Sequence, residues 1–155
     1  MDKKYILTKQ GLIALKNELH ERITTLRKSI ADKIEEATKQ GDLSENAMYS
    51  AALDDQQMNE TKIMEITDIV QNAVVKSPKN DGKVDVGEQV EVLDISTNKK
   101  FHYQLVGEEE ADPLANKISI TSPIGSALMR AKVNEVVEII LPSGVKNYKI
   151  LKIGK

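Results

Sequence analysis

A chain of 155 residues has room for one ordinary domain or two small ones, and 40% hydrophobic with 30% charged residues is the composition of a soluble globular protein. It has no Cys and no Trp, and only 3% of it is aromatic. This excludes disulfides, thiolate nucleophiles and sulfur-ligated metals, and leaves little with which to line an aromatic pocket or a base-stacking sheet. The formal net charge is −2. Residues 1–75 hold 10 Lys/Arg against 13 Asp/Glu and the remainder 12 against 11, so neither half is a basic platform. A nucleic acid would need a protein partner to neutralise most of its phosphates.

No window reaches the roughly 18 apolar residues of a membrane span. The opening Met1-Asp2-Lys3-Lys4 leads to no apolar signal core, so the expected location is cytoplasmic. Thr8 is placed to cap a first helix. From Leu12 to Ala37 apolar residues recur at Leu12, Leu15, Leu19, Ile23, Leu26, Ile30, Ile34 and Ala37. The 3-4-4 stepping is close to the natural helical period and predicts one straight helix with a continuous seam. Gly41 stands where a C-terminal glycine ends a helix. A second helical stretch runs from about Ser44 to Ala73, through Ala47, Ala51, Ala52, Met58, Ile63, Ile66 and Val70, with a polar middle of Asp54, Asp55, Gln56, Gln57 and Asn59. Two long helices joined by so short a turn fold back antiparallel. By periodicity alone such a hairpin is an adaptor or dimerisation rod.

Lys76 to Lys83 has a linker composition. The period then switches to alternation at Val90–Val92 and Phe101–Leu105, with further strands at Lys117–Thr121, Val136–Leu141 and Tyr148–Ile153. Pro142-Ser143-Gly144 is a hairpin turn, and Pro123–Met129 is a short helix between strands. The expected class is α+β. A helical hairpin (coiled coil, residues 1–75, acidic tip at 41–46) precedes a linker (76–83) and a small, mostly antiparallel sheet domain with a helix (84–155).

The turn reads Gly41-Asp42-Leu43-Ser44-Glu45-Asn46-Ala47-Met48-Tyr49, with two acids three residues apart at a helix start. One reading is a cap: Asp42 as N-cap with Glu45 reaching back, Ser44 being a competing N-cap, worth about 1 kcal/mol and helped by the helix dipole. The other is a pair of hard oxygen ligands. Magnesium takes one or two carboxylates and keeps its other positions for water and substrate, so two acids recruit an ion only into a site completed elsewhere. From spacing alone the cap is the commoner case, and one role does not exclude the other.

Gly41 to Ala47, followed by Tyr49 and Ala51-Ala52, resembles the tip signature of the GreA/GreB transcript cleavage factors. The resemblance extends to Leu7-Thr8 with Gly11 and Leu15, and to Ile118-Ser119, Ser122-Pro123-Ile124-Gly125, Ala127-Leu128 and Pro142-Ser143-Gly144. It implies an FKBP-like second domain that docks on bacterial RNA polymerase, with Ser122, Pro123 and Ile124 as contact residues, although a plain strand-to-helix turn explains them equally. It also implies a hairpin inserted through the polymerase secondary channel. There Asp42 and Glu45 help hold the second catalytic magnesium, and the polymerase hydrolyses the backtracked transcript near its RNA 3′ end. Ser44, Asn46 and Tyr49 orient the tip. The factor itself would be a monomer, no enzyme, with no tightly bound cofactor.

Met48 replaces the family's usual Glu, and Thr38 and Leu53 stand where basic residues are common, although Lys39 is adjacent. The absence of a basic patch favours the A type. The runner-up is a channel-binding regulator without cleavage stimulation; a third reading is a chaperone-like binding module. Prolyl isomerisation is disfavoured, since the sheet domain offers only Phe101, Tyr103 and Tyr148 for a pocket. His20 and His102 read as surface residues, and Glu108-Glu109-Glu110 with Asp112 as a solvated loop.

Overall fold

The computed structural model describes residues 4–39 and 43–154, and no side chain of residues 43–46. Its elements, in chain order, are β1 (Tyr5–Leu7), α1 (Lys9–Glu21), a π-helical turn (Arg22–Leu26), α2 (Arg27–Lys39), α3 (Leu43–Gln71), β2 (Ala73–Val75), β3 (Gln89–Asp94), β4 (Lys99–Val106), β5 (Lys117–Ser119), α4 (Pro123–Leu128), β6 (Val136–Leu141) and β7 (Gly144–Ile153). Two compact units result, residues 12–72 and residues 1–11 with 73–155.

The first unit is the helical hairpin, with α1, the π turn and α2 as one arm and α3 as the other. Ile30 and Ala37 on the first arm and Ala52, Ile63, Ile66 and Ile69 on the second are buried. The expected seam is interrupted, however: Ile23 and Leu26 are 39% and 37% exposed. They fall within Arg22–Leu26, where the ladder widens to i→i+5 and Arg27 N–H donates to the Arg22 carbonyl. The extra residue in that turn rotates both side chains off the face they would occupy on a continuous α-helix. On the second arm Met58, counted among the seam residues, is 69% exposed, while the neighbouring Asn59 is buried.

The second unit recruits the chain's beginning. β1 pairs parallel with β2, Tyr5 opposite Ala73 and Leu7 opposite Val75. The hairpin boundaries therefore differ from the expected 1–75, and Ala73 lies in a strand rather than a helix. Gly107 permits the arrangement: a Cβ there would stand 1.7 Å from the Ile6 carbonyl oxygen, so only glycine lets the two backbones approach this closely.

The main sheet has the order β5-β4-β3-β7-β6. Its β3–β4, β3–β7 and β6–β7 pairings are antiparallel, as expected. β5 is the exception and runs parallel to β4. Between them the chain crosses over through two short 3-10 turns, Glu108–Glu110 and Pro113–Ala115, and so re-enters the sheet in its starting direction. The sheet is mixed for this reason.

Alternation puts Val90, Val92, Leu105, Val137, Ile139, Tyr148 and Ile150 on one buried face, closed by Leu128 of α4 together with Val84 and Ala131. The β6–β7 hairpin closes with Leu141 opposite Gly144, leaving Pro142-Ser143 as its two-residue turn. Phe101 stacks between Tyr103 and Tyr148 with ring centroids 6.0 Å from each. The three aromatic rings of this domain weighed for an isomerase pocket thus pack on one another.

Candidate functional site

The tip motif sits at the head of the second arm. α3 opens at Leu43, so Ser44 falls inside the first turn and not before it. Glu45 and Asn46 share that turn, whose free backbone N–H groups favour a carboxylate. Gly41 and Asp42 lie outside the described residues, as do the side chains of Ser44, Glu45 and Asn46. Tyr49 is 36% exposed, and near it Met48 and Leu53, two of the departures from the family pattern, are 53% and 38% exposed. Along Leu43–Gln71 six acids face a single basic residue, Lys62. Such an arm repels phosphate, and a nucleic acid beside it needs cations from elsewhere.

Further down, a polar layer joins the arms. Asn59 is only 3% exposed. Its Oδ1 accepts from Arg22 Nη1 at 3.1 Å, and its Nδ2 donates to the Arg22 carbonyl at 3.1 Å. Arg22 also donates through Nε to Glu18 at 2.8 Å. One turn on, Arg27 donates to both carboxylate oxygens of Glu60, at 2.9 and 2.7 Å, and this hydrogen-bonded fork holds the Glu60 carboxyl below its usual range. The spacing carried a signal for Asn59: from Ala52 through Asn59, Ile63 and Ile66 the steps are 7, 4 and 3, so a polar residue occupies a seam position.

In the other unit, Ser122, Pro123 and Ile124 form the start of α4. Ser122 Oγ accepts from Gly125 N–H at 3.0 Å and donates to the Ser119 carbonyl at 2.6 Å, so it is an N-cap. Pro123 occupies the first turn, where its missing N–H costs nothing. Ile124 packs against the core, which leaves Pro123 the exposed member of the three. In the acidic run Glu108, Glu109 and Asp112 are exposed, as expected of a solvated loop, but Glu110 is half-buried. Glu110 accepts from Thr8 N–H at 2.7 Å and Thr8 Oγ1 at 2.5 Å, while Thr8 Oγ1 accepts from Gly11 N–H at 3.0 Å. Thr8 thus caps α1 as expected, and Glu110 holds the cap. His102 is exposed and lies 3.7 Å from Glu91 across the β3–β4 pair; His20 is exposed on α1.

Among the described residues there is no cluster of three His, Cys, Asp or Glu able to hold a metal ion. Nor is any helix long and apolar enough to cross a membrane.

A helical hairpin headed by an acidic tip motif, followed by a small mixed-sheet unit, defines a two-module factor. Residues 5–75 match the N-terminal family described as transcription elongation factor, and residues 78–155 match the GreA/GreB C-terminal family. The chain is 43% identical over 154 residues to transcription elongation factor GreA of Clostridium acetobutylicum, covering 98% of each chain. It is 41% identical over 155 residues to GreA of Clostridium botulinum, covering 99% of this chain and 97% of that one. Among solved structures, GreA factor homolog 1 of Thermus thermophilus is 26% identical, with 99% of this chain and 100% of that one covered and a TM-score of 0.45. The chain belongs to the GreA/GreB family of transcription elongation factors, and its relatives place it nearer GreA.

Proposed function

We propose that this elongation factor inserts its hairpin into the secondary channel of bacterial RNA polymerase and stimulates the polymerase's own hydrolysis of backtracked RNA, rescuing arrested complexes. The observation that carries the reading is the Gly41–Ala47 sequence motif, of which Leu43–Ala47 begins α3, in a chain matched by the family over both modules. Asp42 and Glu45 are the hard-oxygen donors of this motif, and the acidic second arm keeps RNA phosphate from binding the free factor. Asn46, Ser44 and Tyr49 orient the tip, and the α4 start at Ser122, Pro123 and Ile124 contacts the polymerase. Asp42 and Glu45, together with ligands of the polymerase, would hold a magnesium ion, which would supply Lewis-acid activation of a water. The factor has no hydrolytic activity alone, acts as a monomer in the cytoplasm and binds magnesium weakly in isolation.

The deciding experiment is transcript cleavage on a stalled, backtracked complex. Wild-type factor releases short 3′ RNA fragments, and the factor without polymerase degrades no RNA. Asp42→Ala combined with Glu45→Ala lowers stimulated cleavage by at least about 100-fold, the scale of losing transition-state electrostatics. Full cleavage by the double variant rejects the role given to the tip. A second reading rests on Met48 and Leu53, exposed apolar residues beside the tip: a channel-binding regulator that does not stimulate cleavage. Inhibition at every factor concentration, with no fragments, selects it.

A further inference from the structure

We infer that Arg22 and Asn59 form a lock that holds the first arm in its π-turned phase and thereby aims the tip carboxylates; the aiming rests on the function proposed above. The two residues are positioning residues, acting through the helix and not on the substrate.

The apolar spacing of the first arm conflicts with its observed ladder. Leu19 and Ile30 are eleven residues apart, three α-helical turns to within about 20°, so a continuous α-helix would put them and the intervening Ile23 and Leu26 on one face. Apolar burial favours that straight helix. The chain instead takes the π turn at Arg22–Leu26 and leaves Ile23 and Leu26 39% and 37% exposed. A π turn takes roughly one extra residue, and one residue is about 100° of helical rotation. The half of the arm nearer the tip, where Ile30 and Ala37 remain buried, is therefore turned relative to the half before it, and Ile23 and Leu26 bear the mismatch.

What opposes the straight helix is polar and local. The Arg22 carbonyl accepts both from Arg27 N–H, the π bond, and from the buried Asn59 amide. The Arg22 guanidinium in turn donates to the Asn59 oxygen. Thr24 Oγ1 donates to the His20 carbonyl at 2.7 Å, a side-chain insertion into the ladder of the kind that bends helices. Straightening the helix would move the Arg22 carbonyl and leave a buried Asn amide without its partner. A single buried polar residue at a seam position that fixes register at a cost in apolar burial is a known device of paired helices. Here the alternative it excludes is visible in the spacing of the apolar residues themselves.

The chain has no Cys, so a single Ile23→Cys reports the phase of the first arm through its rate of thiol modification. In the otherwise wild-type factor the thiol reacts as an exposed group. In Arg22→Leu with Asn59→Leu, which removes both polar partners and adds apolar seam, modification slows at least about tenfold while the helical circular dichroism is kept. Asn59→Ala alone, read the same way, slows it by about threefold and serves if the double variant disturbs the helix. An unchanged rate in a folded variant overturns the lock.

Cleavage then tests the aiming. In Arg22→Leu with Asn59→Leu, without the reporter, the maximal stimulated rate falls about 10- to 100-fold, the cost of a misplaced group, while the half-saturating factor concentration changes less than about threefold. Slowed labelling with an undiminished maximal rate overturns the aiming. If the wild-type factor stimulates no cleavage, the proposed function fails, and the labelling result still decides the lock.

Discussion

Removing the Glu110 carboxylate should detach the start of the first helix from the sheet unit. Glu110 accepts two hydrogen bonds from Thr8, at 2.7 and 2.5 Å, and Thr8 is 4% exposed. Hydrogen bonds to a charged group contribute about 1.5–3 kcal/mol each, and a buried donor left without a partner costs its desolvation. The two bonds share one acceptor group, so their sum is an upper bound. Glu110→Ala is expected to cost about 2–3 kcal/mol, or about 5–10 °C in melting temperature for a chain of this size. Glu110→Gln keeps an acceptor oxygen but loses the charge, and should cost about half as much. Urea unfolding followed by tyrosine emission is the suitable assay, since there is no Trp and three of the four tyrosines, Tyr5, Tyr103 and Tyr148, lie in the sheet unit. A loss below about 0.5 kcal/mol for Glu110→Ala would refute the reasoning, because it would mean that water replaces the carboxylate without penalty.

Gly107→Ala should destabilise the same unit by at least about 2 kcal/mol, since the new methyl meets the Ile6 backbone and no side chain can yield to relieve it; a urea midpoint within error of wild type would count against the close approach of β1. Tyr103 should ionise late. Burial, and then its neighbour Tyr148, push its phenol from the ordinary 10.0 up to about 12. A raised folded-state value means that the neutral phenol stabilises the fold fully below pH 10, and that this contribution is lost as pH rises from 10 through about 12. Absorbance at 295 nm should show one tyrosine titrating about two units late in the folded protein and normally in 8 M urea; a single wave near 10 in both states would contradict the burial of Tyr103 against Phe101.

Much of the fold was legible because it depends on local pattern. Alternation located the strands at Val90–Val92, Val136–Leu141 and Tyr148–Ile153, and the Pro142-Ser143 turn was evident from composition. Period 3.6 located both helical arms. The missing parts are those in which distant residues decide. Tyr5–Leu7 is too short a run to be recognised as a strand until Ala73–Val75 lies beside it, and that pairing moves the unit boundary at both ends of the hairpin. The parallel placement of β5 depends on how a ten-residue crossover folds, which neither strand's own residues state. Glu110 read as one of three solvated acids because its partner, Thr8, is 102 positions away.

The candidate site divides along the same line, and the division explains why the polar layer was missed. Asp42 and Glu45 stand out in a local motif, and a cap and an ion ligand make the same demand on residue type there. Arg22 and Asn59 belong to no motif. Each looks ordinary on its own arm, Arg22 as a surface cation and Asn59 as part of a polar middle. Only their meeting across 37 positions makes Asn59 a buried, doubly bonded residue. The apolar spacing of the first arm does not reveal the π turn, because Ile23 and Leu26 continue the 3-4-4 stepping straight through it. Under the proposed function, in which two carboxylates are delivered to a defined point, rotational phase matters as much as length. A uniform apolar seam can slide or turn at little cost, whereas a buried amide tied to one carbonyl cannot. Specificity of aim is thus the physical reason to retain a polar pair where leucines would have packed.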